Sequence, residues 1–133
     1  MVVENRGDGA FTVRPLPTRA QFAPMFGLYA GDLTADGTTD LVMAGNFHGA
    51  PPRLGRMAAS YGAFLRGTGD GPFAAVPSRE SGLLVRDQVR DVAALNTATH
   101  GRVLLFAKND APLQIVAPTA PQRPVSTPTR SSE

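Results

Sequence analysis

The sequence predicts an all-β fold of short antiparallel strands, and three observations support this class. Its 133 residues include 14 glycines and 12 prolines, which are disfavoured inside helices and common in turns. Its apolar residues form short runs such as LVMAG and RVLLFA, separated by glycine, proline or Asp-Gly turns. A Gly-Asp-Gly-x-Phe turn occurs twice. Together these features favour many short strands joined by turns.

Composition narrows the kinds of partner that the chain is expected to have. A hydrophobic content of 42% suits one globular domain. The net charge of +2 comes from scattered Lys and Arg residues, so no nucleic-acid partner is predicted. Without cysteine there is no disulfide framework and no thiolate metal site. No apolar run is long enough to cross a bilayer, which predicts no membrane insertion, and the stretch MVVENRGDG has no charged leader followed by an apolar segment, so no signal peptide is predicted in this chain.

The chain divides into a folded part and a tail. Residues 117–133 read APTAPQRPVSTPTRSSE, which offers almost nothing apolar to bury and predicts a disordered tail. Residues 1–116 are therefore expected to hold the fold. Within them, a helix is expected only around Leu54 to Tyr61.

An internal repeat predicts the architecture. GDGAF at residues 7–11 recurs as GDGPF at residues 69–73. We call the distance along the sequence from Gly7 to Gly69 the repeat offset. A period of about 60 residues with about four strands per unit is the size of a propeller blade. We therefore expect about two four-stranded antiparallel blades of a partial β-propeller, whose open sheet edges invite self-association.

The repeat also suggests an alignment of two further stretches. GLYAGDLTADGTTDLVMA from Gly27 is matched with GLLVRDQVRDVAAL from Gly82, which places Asp32 with Asp87 and Asp40 with Asp91. Between the paired aspartates the first copy has seven residues and the second has three. In this alignment, one copy keeps a long acidic loop that the other has lost.

The stretch DLTADGTTD predicts a calcium site. Ca²⁺ takes about 6 to 8 oxygen ligands, which a tight loop can supply from alternate positions with a glycine at the turn. The predicted side-chain ligands of one Ca²⁺ are Asp32, Thr34, Asp36 and Asp40, and Thr38 is expected to donate its backbone carbonyl. The alternative is an Asp-rich turn whose carboxylates cap backbone amides without a metal ion.

The order of these motifs resembles the FG-GAP or VCBS repeat family, which is related to the propeller blades of integrin α-subunits. The stretch from Gly45 to Leu95, followed by RVLLFAKNDAPLQIV, is most similar to the carboxy-terminal blades of secreted bacterial VCBS proteins associated with ASPIC/UnbV domains. That family's calcium loop usually has an aspartate where this chain has Thr34. The likeness covers roughly Val2 to Val116.

The resemblance implies a non-catalytic, calcium-stabilised module. It would form the carboxy-terminal part of a larger secreted or cell-surface protein and contact a protein or glycan surface. The alternatives are an accessory or catalytic part of a carbohydrate-active enzyme, or a truncated gene product without independent function. No catalytic residue is predicted, because no serine lies in a nucleophile elbow and the two histidines stand apart in the sequence.

Overall fold

The structure, a computed structural model, describes residues 1–69 and 71–119, and it confirms the all-β class. The strands form three antiparallel sheets with two, four and three members. Residues 117–119 of the predicted disordered tail are described and form no helix or strand. The rest of that predicted tail lies outside the described residues. Within the described ranges, no helix has the length and apolar character needed to span a membrane.

The strands follow one another along the chain without crossovers. The first sheet has the order β1-β2, the second β3-β4-β5-β6, and the third β7-β8-β9. The strands are β1 Val2–Asn5, β2 Phe11–Arg14, β3 Met25–Gly31, β4 Asp40–Gly45, β5 Ala63–Gly67, β6 Phe73–Val76, β7 Gln88–Thr97, β8 Gly101–Asn109 and β9 Gln114–Val116, with a 3-10 helix at Thr18–Gln21 and a helical turn α1 at Ser78–Ser81.

The segment from Leu54 to Tyr61, the only place where the sequence allows a helix, contains none, and the short helices lie instead at Thr18–Gln21 and Ser78–Ser81. Phe47 and Met57 exchange two backbone hydrogen bonds of 2.9 Å there, as an isolated β-bridge. Gly55 has a φ of 68°, a left-handed conformation that a right-handed helix cannot contain. The segment is therefore a loop that folds back onto the end of β4.

Sheet stacking creates the main core, because strand β4 is buried on both faces. All six residues of β4 are buried. Val42 and Ala44 point into a cluster shared with Val92 and Phe106 of the third sheet. We call this side of the second sheet its front face. Leu41 points the other way, into a cluster with Leu65 and with Ala20 of the 3-10 helix, and this side is the rear face.

Gly27 allows the second and third sheets to approach closely. A Cβ atom added at this buried glycine would lie 2.7 Å from Cγ2 of Val92 and 2.9 Å from the backbone carbonyl carbon of Asp91. Contacts this short with a backbone cannot be relieved by a side-chain rotation. Gly27 is therefore required for the spacing of the two sheets.

The repeat offset found in the sequence reappears in strand pairing. In the first sheet Val3 pairs with Val13. The residues one repeat offset further along the chain, Leu65 and Ala75, pair with each other in the second sheet. All four pairs of the β1-β2 hairpin have counterparts at this offset in β5-β6. The first sheet thus corresponds to the last two strands of the second, so the architecture is one full four-stranded unit flanked by two shorter ones.

The alignment of Gly27 with Gly82 is wrong, because residues 82–87 form no strand. The register shifts show which residues of the second and third sheets correspond. Strand β3 has a shift between Met25 and Gly27, and strand β7 has one between Val89 and Asp91. Counted from those shifts, the pair Gly31–Asp40 corresponds to the pair Leu95–Val103. The sequence alignment failed because it compared the apolar linker before β7 with strand β3.

We predict that Gly27→Ser lowers the free energy of unfolding by about 1 to 3 kcal/mol, the usual cost of overpacking a close contact. Ala30→Ser is the matched control, since Ala30 lies on the same strand but is exposed, and it should change stability by less than about 0.5 kcal/mol. Urea unfolding of both variants measures the difference. Equal stability of the two would contradict the close approach of the sheets.

Candidate functional site

The Asp32–Asp40 loop connects β3 to β4 at one end of the second sheet. The last paired residues are Gly31 and Asp40, and residues 32–39 form no ladder. The backbone turns through positive φ angles of 59° at Ala35 and 86° at Gly37. Glycine adopts such an angle without steric cost, which explains the Asp-Gly pair at this point.

Asp40 organises the loop from a fully buried position. Its side chain has 0% exposure. Oδ2 accepts hydrogen bonds from the backbone N–H of Leu33 at 3.0 Å, from that of Thr34 at 3.1 Å and from the Thr34 hydroxyl at 3.2 Å. Oδ1 accepts a bond of 3.0 Å from the N–H of Gly67 at the end of β5. These four donors compensate the burial of the carboxylate.

The loop is anchored to both neighbouring parts of the fold. Leu33 is 8% exposed and belongs to the core between the second and third sheets. Arg102 of β8 donates a hydrogen bond from Nη1 to the carbonyl oxygen of Asp32 at 3.2 Å. A Cβ atom added at Gly67 would collide with the carbonyl oxygen of Thr39, so glycine is needed beside the loop.

Asp32 and Asp36 lie on the exposed side of the loop. Oδ2 of Asp32 accepts a hydrogen bond from the N–H of Gly37 at 3.0 Å. Oδ1 of Asp36 accepts one from the N–H of Thr38 at 2.9 Å and another from the Thr38 hydroxyl. Arg66 Nε is 3.9 Å from Oδ2 of Asp36, with its side chain 54% exposed. An exposed pair at that distance adds little to stability.

The pKa of Asp36 lies below its ordinary value of 3.8. The main cause is the hydrogen bond from the Thr38 hydroxyl, followed by the bond from the Thr38 backbone N–H, and the charge of Arg66 adds a smaller effect. Both donors stabilise the charged form of the carboxyl group. Because the pKa is lower in the folded chain, this interaction stabilises the fold above pH 3.8 and is lost as the pH falls through the folded pKa.

The predicted calcium ligands are held by hydrogen bonds within the loop. Besides Thr38, the Thr34 side chain, which donates to Asp40, also helps to lower the pKa of Asp36. Thr34 donates to Asp40, Thr38 donates to Asp36, and Asp32 accepts from Gly37. In the ranges 1–69 and 71–119, no three Asp, Glu, His or Cys side chains are grouped so that they could hold a metal ion. Asp40 accepts three hydrogen bonds at Oδ2 and one at Oδ1. Protein donors therefore occupy Oδ2 fully, and Oδ1 has one acceptor position left.

The observed bonds are those of the amide-capping alternative. Each of the three loop carboxylates accepts at least one backbone N–H from within the loop, as aspartates do in Asp-rich turns. Calcium binding remains a prediction for this loop. The spacing of the aspartates is therefore also explained by the hydrogen bonds that they accept from backbone N–H groups of the loop.

The equivalent connection in the third sheet gives an internal comparison. There β7 and β8 remain paired as far as Thr97 and Gly101, and the position of Asp40 is taken by Val103, which is 4% exposed. A paired hairpin satisfies its own amides along the ladder. The irregular Asp32–Asp40 loop has no ladder, and it uses a buried carboxylate in place of the valine.

Sequence reasoning missed three residues of the site. Leu33, Gly67 and Arg102 hold the loop against the core, β5 and β8. The only available signal was the apolar Leu33 between two polar residues. The contacts of Gly67 and Arg102 join segments that are far apart in the sequence, so no local pattern reveals them.

Comparison of the chain with protein-family models, with curated proteins and with solved structures found no match.

We predict that Asp40→Val destabilises the fold, although valine occupies the equivalent position in the third sheet. The substitution leaves the N–H groups of Leu33, Thr34 and Gly67 without their acceptor, which costs on the order of 2 to 4 kcal/mol. The matched control is Asp32→Val, which removes a single exposed bond and should cost less than about 1 kcal/mol. Chemical denaturation of both variants checks this, and comparable losses would show that Asp40 has no special role.

We predict that Thr38→Val raises the pKa of Asp36, because it removes the hydroxyl that contributes most to lowering it. Thr38→Ser retains a hydroxyl and should keep the pKa low. An NMR titration of the Asp36 carboxyl carbon measures both variants. If Thr38→Val titrates like the unchanged protein, the hydroxyl bond does not control this pKa.

Proposed function

We propose that this chain is a non-catalytic repeat module of the β-propeller type, stabilised by calcium at the Asp32–Asp40 loop. It would act within a larger secreted or cell-surface protein by presenting surface for protein or glycan contacts. The observation that carries the proposal is the repeated register, in which two hairpins related by the repeat offset pair residue for residue. Repetition of one sheet unit, each unit covering its neighbour, is characteristic of repeat architectures.

Loop geometry favours a structural role for the acidic residues over a catalytic one. Asp40 is fully buried and directs both oxygens to donors of the protein, whereas a general acid or base needs access to substrate. Calcium bound by all five predicted residues would meet Asp40 at Oδ1, which accepts only the bond from Gly67. The Thr34 hydroxyl donates to Asp40 and still has lone pairs for the ion. Asp32 and Asp36 are accessible from solvent and would be the first carboxylates to meet the ion.

Aromatic and arginine side chains at the opposite end of the sheets offer a contact surface. The guanidinium of Arg90 lies 4.8 Å from the ring centroid of Phe26 and 5.8 Å from that of Phe47. Arg86 lies 5.8 Å from the Tyr61 ring. Phe26 and Tyr61 are 49% and 53% exposed. Arginine stacked on aromatic rings is enriched at interfaces, where its free edge binds carboxylates.

The same surface supports the second candidate, an accessory part of a carbohydrate-active enzyme. Exposed aromatic rings stack on the apolar faces of sugars, and Tyr61 and Phe26 present such rings. The two candidates differ in what binds there. A sugar would bind at the rings, far from the acidic loop, and its binding would persist after calcium is removed.

A thermal melt in chelator and then in excess calcium tests the proposed function. We expect the melting temperature to rise with calcium, because a ligand that binds only the folded chain stabilises it by mass action. Asp36→Ala should lose this rise. The matched control is Asp8→Ala, which removes the carboxylate that caps a different turn through the N–H of Ala10, and it should keep the calcium response.

If calcium does not shift the melt of the unchanged chain, the loop acts through its amide bonds alone and has no ion. If Asp36→Ala keeps the calcium response, the ion binds elsewhere. Either result rejects the calcium part of the proposal.

A further inference from the structure

Two apolar sheet faces remain exposed, one on the first sheet and one on the third sheet. At the first sheet, Val3, Phe11 and Val13 are 54%, 62% and 61% exposed. These residues form one side of the β1-β2 hairpin, because cross-strand partners share a face. At the third sheet, Leu95 and Ile115 are 52% and 61% exposed. Together with the partly exposed Leu105 they occupy the side turned away from the core.

The apolar side of the first sheet is a rear face. At the repeat offset, Val3, Phe11 and Val13 correspond to Leu65, Phe73 and Ala75. Those three residues belong to, or pack against, the core on the rear of the second sheet. The first sheet thus carries apolar residues at positions that are covered in the second sheet.

The apolar side of the third sheet is a front face. In the second sheet, Val42 pairs with Phe64 beside the pair Leu41–Leu65. In the third sheet, Leu105 pairs with Ile115 beside the pair Leu104–Val116. Leu105 and Ile115 therefore occupy the positions of Val42 and Phe64, which pack into the core between the second and third sheets.

We propose that copies of this chain associate head to tail, with the front face of the third sheet of one copy packed on the rear face of the first sheet of the next. The inference rests on the proposed repeat function. Within the chain, the front face of the second sheet packs on the rear face of the third sheet. The two exposed faces are likewise one front face and one rear face. Front-to-rear packing of a second copy continues the stacking already present within the chain.

This contact is heterologous, because the two surfaces that meet are different. Such interfaces join copies into rings or open chains, in contrast to the self-complementary contact of a two-fold dimer. Contiguous exposed apolar patches on soluble proteins commonly mark interaction sites. The association also differs from pairing through the open sheet edges, because it buries side chains and adds no strand hydrogen bonds.

Complementation between two variants tests the proposal. Val13→Glu places a charge on the rear face, and Ile115→Glu places one on the front face. Sedimentation analysis of the unchanged full chain should give species of at least twice the monomer mass. Each variant alone should be monomeric, and an equal mixture of the two should form dimers, because one intact front face and one intact rear face remain. Thr99→Glu, in the exposed turn between β7 and β8, is the control and should associate normally.

Several results would overturn the proposal. An unchanged chain that is folded and monomeric would show that copies of it do not associate. Association that persists in both single variants would assign it to the sheet edges. A contact of one face with itself would leave one of the two single variants associated. A mixture of two monomeric variants that stays monomeric would show that the two faces do not bind each other. Circular dichroism melts of each variant exclude unfolding as the cause, and the calcium response of the monomers reports separately on the proposed function.

Discussion

The structure depends on one constraint, which is that the second sheet is apolar on both faces. An antiparallel sheet with one wet face can be covered from a single side, but β4 buries all of its residues. The second sheet must therefore be covered twice, by the third sheet in front and by the segment around Ala20 behind. The packing of the third sheet on the second follows from this requirement, and so does the need for Gly27 where the two backbones meet.

The comparison between Asp40 and Val103 shows two solutions to the same problem. A connection between adjacent strands must satisfy its backbone amides, and the third sheet does so by continuing the ladder to a short turn. The second sheet leaves the ladder at Gly31 and replaces it with a buried carboxylate that accepts the loop amides. The carboxylate also accepts from β5, which a valine cannot do. The loop is therefore a long-range connection as well as a turn.

The fold class and the Gly-Asp-Gly turns that precede β2 and β6 could be predicted from the sequence, because both depend on local signals. Gly-Asp-Gly turns and short apolar runs are readable without knowledge of distant contacts. The match of Gly27 with Gly82 failed because apolar residues of a buried linker, Leu83 and Val85, resemble a strand in composition. The loop residues were identified, but their roles were not, since burial of Asp40 depends on β5 and on the third sheet. Spacing alone cannot separate a carboxylate that binds an ion from one that binds amides.

The bond between Asp40 and Gly67 has a consequence for the stability of the loop. The two residues are separated by 27 positions, and the loop between β3 and β4 cannot satisfy Asp40 until β5 has joined the sheet. In a β3-β4 hairpin without the rest of the fold, Asp40 would lack the hydrogen bond from Gly67, and Leu33 would be exposed to water. All four donors to Asp40 are therefore present only when β5 is paired in the sheet, so the stability of the loop is coupled to the completion of the sheet.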